Sequence, residues 1–147
     1  MDQFNDKLRV VMEDRSRRNN LRIEGIKEMD KESWEDCERK VKDVLHSRLG
    51  LSNIDIERAH RMGKKKSGYK QPRTIIFKLK DWKQKEEILK NSKHFKGTGI
   101  YINEDFSDAT NEIRKGLFAK MKKNREEGKY SIVVYDKLMT REFKSKN

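Results

Sequence analysis

The stretch RTIIFKLK, residues 73–80, sets Ile75, Phe77 and Leu79 in one phase and Thr74, Ile76, Lys78 and Lys80 in the other. Side chains of an extended chain point alternately to opposite faces, so this run predicts a strand with one buried face and one open, basic face. A sheet that contains it is covered on one side only. NNLRIEGI, residues 19–26, repeats the pattern with Leu21 and Ile23 against Arg22 and Glu24, and Gly25 marks a bend or bulge. IDIERAHRM, residues 54–62, predicts a strand with Ile54 and Ile56 inward and a change of phase near Ala59. In IYIN, residues 100–103, Ile100 and Ile102 take the core and Tyr101 points outward.

Two helices separate these strands. Ser33, with Asp36 three residues on, is a helix start, and Trp34, Cys37, Val41, Val44, Leu45 and Leu49 recur on one face until Gly50 ends the pattern. Asp81 caps a second helix whose inner stripe is Trp82, the stem of Lys85, Ile88 and Leu89. The order strand, helix, strand, strand, helix, strand over residues 19–104 is that of an α+β, ferredoxin-like fold, with both helices on one face of four antiparallel strands. Residues 1–18 place Phe4, Leu8 and Val11 at heptad spacing and read as the end of a coiled-coil helix. Residues 105–147 read as a small, incomplete α/β C-terminal domain: Ser107 opens a long helix that ends at Gly128, and a strand-like run follows over 130–139.

The formal net charge of +12 points to a polyanionic partner. Residues 58–80 hold nine Lys or Arg and no acid, which makes Arg61, Lys64, Lys65, Lys66, Arg73 and Lys78 candidate phosphate contacts. Arg18 and Arg22 form a second cluster in RSRRNNLR, and Arg114 belongs to a third, acid-free stretch over 113–125. The strand order is also that of the RNA recognition motif, whose open face stacks bases on aromatic rings. Its K/R-G-F/Y signature is missing here, and Phe77 lies in phase with the core. Tyr101 is the best outward aromatic, with Tyr69 and Tyr135 as further stacking candidates. Such a sheet grips backbone rather than reading bases, so the expected partner is single-stranded RNA, and also single-stranded DNA, with weak sequence preference.

Four segments, DRSRRNNLRIEGI, IERAHRMGKKK, PRTIIFKLKDWKQKEEIL and INEDFSDATNEIRK, together resemble the nucleic-acid-binding protein encoded by the first open reading frame of LINE-1 retrotransposons. The resemblance implies a coiled coil that makes the full-length protein a trimer, then a non-standard RNA recognition motif and a small C-terminal domain. It implies a nucleic acid chaperone that packages RNA in a cytoplasmic ribonucleoprotein, while RMGKKK, residues 61–66, also reads as a nuclear import signal. It assigns RNA contacts to Arg18, Arg22, Arg61, Lys64, Lys65, Lys66, Lys78 and Arg114, and adds Lys93 and Tyr135, which charge counting does not single out.

Other classes fare worse. The lone Cys37 and scattered His46, His60 and His94 predict neither disulfide nor metal site, and fit a reducing compartment. No phosphate loop or hydrolase motif occurs, so neither catalytic residues nor a cofactor are expected. Glu104, Asp105 and Asp108 precede a helix, where acids favour its N-terminus. No apolar run approaches the roughly 20 residues of a membrane span. The competing class is a protein–protein assembly module that works through Phe4, Leu8 and Val11, with a generic basic surface.

Overall fold

The central strand β1 (Asn20–Glu24) pairs antiparallel with β3 (Ile75–Leu79) on one side and β4 (Tyr101–Glu104) on the other, and β2 (Ile56–Arg61) completes a sheet of order β2-β3-β1-β4. The computed structural model describes residues 3–65 and 71–141. The fold is α+β: one four-stranded antiparallel sheet, four α-helices and a separate two-stranded hairpin among those residues. It divides into two compact units, Ser16–Asp105 and a second in which the N-terminal helix groups with the segment from Phe106 onward.

In the first unit, alternation decides the core. Leu21, Ile23, Ile75, Phe77 and Leu79 are buried in one cluster with Val41 and Leu45 of α2 (Trp34–Leu49) and Ile88 of α3 (Trp82–Asn91). The helix ends match their chemistry. The Ser33 hydroxyl accepts from the Asp36 amide and the Asp36 carboxylate accepts from the Ser33 amide, a reciprocal box, while Gly50 closes α2 at φ +68°. Asp81 caps α3 through the Lys83 amide. Trp34 and Trp82, expected on the inner stripes, are instead more than half exposed, because each is the first residue of its helix. The phase change foreseen near Ala59 is a bulge: Ile56 opposes Leu79 and Arg58 opposes Lys78, so Glu57 is the extra residue and Ala59 returns to the core. Gly25, at φ +94°, is required where it stands, since a Cβ there would lie 2.2 Å from the Gly99 carbonyl oxygen.

In the second unit, α1 (Gln3–Ser16) leaves Phe4, Leu8 and Val11 exposed and buries Asp14. That carboxylate accepts from the Ser107 amide at 2.7 Å, from Thr110 Oγ1 at 2.5 Å and from the Tyr135 hydroxyl. Burial pushes the Asp14 pKa up, but these hydrogen bonds outweigh it and hold it below the usual value. Ser107 caps α4 (Asp108–Glu126). The run expected as one strand over 130–139 is a hairpin, β5 (Tyr130–Val134) and β6 (Lys137–Arg141). Tyr135 makes the turn at φ +51°, a left-handed conformation with no glycine to announce it.

Candidate nucleic-acid interface

The face of the sheet turned away from α2 and α3 carries the residues that alternate with the core. Arg58 of β2 stands opposite Lys78 of β3, and Lys78 opposite Asn20 of β1; the next row is His60, Ile76, Arg22 and Asn103, and Glu24 pairs with Tyr101 beyond it. Like charges directly opposed across strands destabilise a sheet. Among the described residues, the one acid paired with the Arg58 and Lys78 couple is Glu57, 3.6 Å from Lys78. The bulge puts Arg58 there, a position no strict alternation assigns to the open face.

At the start of β1 the arginine cluster is built around Asp105, whose side chain is 1% exposed. Asp105 Oδ1 accepts from Arg22 Nε at 2.7 Å and Arg17 Nη1 at 3.2 Å, and Oδ2 accepts from Asn20 Nδ2 at 3.0 Å. Read from sequence as a helix-terminus acid, Asp105 is in fact an arginine clasp. Beside it, the buried Lys85 ammonium donates to the Arg18 carbonyl at 2.6 Å and to Glu104 at 3.3 Å. The Arg18 side chain itself is exposed and forms no ion pair among the described residues.

The base of the β2–β3 hairpin corrects part of the sequence assignment. Glu28, Asp30 and Glu32, in the loop after β1, pair in turn with Arg73, Lys65 and Arg61. Arg61, 4% exposed, donates all of its N–H groups inward: Nε and Nη2 to Glu32, Nη1 to the Ile26 and Arg73 carbonyls, Nη2 also to the Lys27 carbonyl. A guanidinium has five donors, so none is left for a phosphate. Arg73 gives three of its five N–H donors to Glu28 and the Gly63 carbonyl, and its ion pair with Glu28 neutralises its charge. Burial pushes the Glu32 pKa upward, but bonds from Arg61, Lys40, Cys37 and the Met29 amide hold it far below the usual range; the Arg73 hydrogen bond lowers that of Glu28. Among the described residues Lys65 pairs with an exposed carboxylate, that of Asp30, and Lys64 is exposed, so both stay available. Lys66 and Tyr69 lie outside the described residues.

Tyr101 is 62% exposed and lines an open cleft of about 620 Å³ along β4 with Lys93, Lys96, Phe95, Ile100 and Ile102. Arg114 and Tyr135 meet in the second unit, where the work they do is local. Arg114 Nη1 donates to the Tyr135 carbonyl at 2.7 Å, and its guanidinium lies 4.6 Å from the Phe106 ring centroid and 5.3 Å from that of Phe118. The Tyr135 ring tilts against Phe106 and its hydroxyl is committed to Asp14; burial, then that carboxylate, raise its pKa. Tyr135 is therefore a turn anchor more than a free stacking platform.

Among the described residues no cluster of His, Cys, Asp or Glu is arranged to hold a metal ion, and no helix is long and apolar enough to cross a membrane. No protein-family model matches the chain, and no curated protein matches it.

Proposed function

We propose that the protein is a non-enzymatic, sequence-tolerant binder of single-stranded RNA and DNA, built on a ferredoxin-like, non-standard RNA recognition motif. The observation that carries this reading is the sheet face opposite α2 and α3, where Arg58 and Lys78 stand opposed and Arg22 and the exposed Tyr101 share the surface. A polyanion laid across that face offsets the repulsion, and an exposed ring gives any base a surface to stack on. Lys64, Lys65, Arg18 and Lys93 extend the basic contacts beyond the strands. Many separate phosphate contacts break and reform one at a time, which is the behaviour of a chaperone that lets strands rearrange. The resemblance to the LINE-1 first-frame protein supports the same reading, with packaging of RNA into a cytoplasmic ribonucleoprotein as the role.

Titrating a labelled mixed-sequence single strand and its duplex by fluorescence anisotropy at several salt concentrations tests it. The expected result is tighter binding of the single strand, with a slope near −0.7 per neutralised phosphate. Equal binding of both forms refutes it. A second reading, assembly through α1, is favoured by the exposure of Phe4, Leu8 and Val11 on that helix. Under it, deleting residues 1–18 abolishes self-association, whereas under the first reading RNA affinity per chain survives the deletion.

A further inference from the structure

We propose that Asp105 is a positioning residue for nucleic-acid binding, an acid that strengthens the grip on a polyanion by aiming the arginine beside it. The inference rests on the reading given above and goes beyond it by assigning a role to a negative charge. Asp105 holds Arg22 through Nε, 2.7 Å away, so the two terminal nitrogens of the guanidinium keep no partner among the described residues and remain for a phosphate. Arg22 shares the open-face row with Ile76 and Asn103, so a fork held there meets whatever lies on that face. Asn20 and Arg17 take further positions on the same carboxylate, which fixes the carboxylate as firmly as it fixes Arg22. A planar guanidinium already held in one geometry loses less freedom when it binds a phosphate bidentately. Simple charge counting gives the opposite sign: a carboxylate buried among arginines repels RNA, and its removal helps.

The two accounts separate on Asp105→Asn, measured on the full chain with labelled mixed-sequence single-stranded RNA. Neutralising the acid raises the net charge by one, yet positioning predicts an affinity about two- to twelvefold lower, the cost of immobilising one rotamer-rich side chain. In an Arg22→Gln background the same substitution then has no further effect on affinity, whereas a loss through partial unfolding persists there. Arg22→Lys, which leaves Asp105 with Asn20 and Arg17, gives the answer even if Asp105→Asn folds poorly. It keeps the charge and lacks the fork, and is expected to lose affinity by a similar factor. Wild-type or tighter binding by Asp105→Asn, or wild-type binding by Arg22→Lys, overturns the proposal while leaving RNA binding intact. A wild-type chain that binds no RNA overturns the underlying reading instead.

Discussion

Replacing Arg61 with Gln removes a side chain whose donors all point inward, to the Glu32 carboxylate and the carbonyls of Ile26, Lys27 and Arg73. Taking one partner from a buried ion pair costs about 3–5 kcal/mol, because the remaining charge stays buried. Here Glu32 keeps Lys40, the Cys37 thiol and the Met29 amide, which places the loss near the low end, about 3 kcal/mol. For a unit the size of Ser16–Asp105, each kcal/mol moves the melting temperature by roughly 4–8 °C, so Arg61→Gln is expected to melt roughly 12–24 °C lower. Circular dichroism on heating reads the transition, and RNA anisotropy well below it reads binding. RNA affinity per folded chain and its salt slope should stay at wild-type values. A variant that melts like wild type but binds more weakly, with a slope about 0.7 shallower, would return Arg61 to the phosphate contacts and refute the argument.

Three further outcomes follow from the same structure. Glu32 and Glu28 have folded pKa values below their ordinary 4.5, so their contribution to stability is complete above that pH and disappears as pH falls through the folded values. Urea midpoints should drop below about pH 4.5, and Glu32→Gln should be less stable at neutral pH with a shallower acid decline; parallel curves would exclude Glu32 as a source. Gly25→Ala should cost about 2 kcal/mol or more, from positive φ and the collision with Gly99, and an unchanged urea midpoint would show that the backbone relaxes freely. Burial and the neighbouring Glu32 push the Cys37 thiol up to about 11, so a maleimide should label the folded chain slowly at pH 8 and the urea-unfolded chain quickly; equal rates would contradict the buried site.

The first unit was legible because its signals are local. The capping box at Ser33, the stop at Gly50, the cap at Asp81 and the alternation in RTIIFKLK each act within a few residues. Partnering of the basic residues was not. The acid-free run at 58–80 draws its acids from Glu28, Asp30 and Glu32, 29 to 45 residues upstream, and no window on the sequence brings these together. The break of the last strand at Tyr135 was hidden for a different reason. A tyrosine at positive φ has no turn signature, and its hold comes from Asp14, 121 residues away. Arg58 reached the open face through a bulge that the sequence showed only as a slipped phase.

The Asp105 clasp also sets an order of events. It joins the residues at the start of β1 to a carboxylate 83 to 88 positions later, the last residue of the unit. Contacts so distant in sequence carry a loop-closure cost and form late, after the local helices and the β2–β3 hairpin. On a chain emerging from the ribosome, Arg22 therefore lacks this carboxylate until nearly all of the sheet has been made. The final step of folding is then the one that gives the arginines their direction, and a chain stopped short of residue 105 has the charge without the aim.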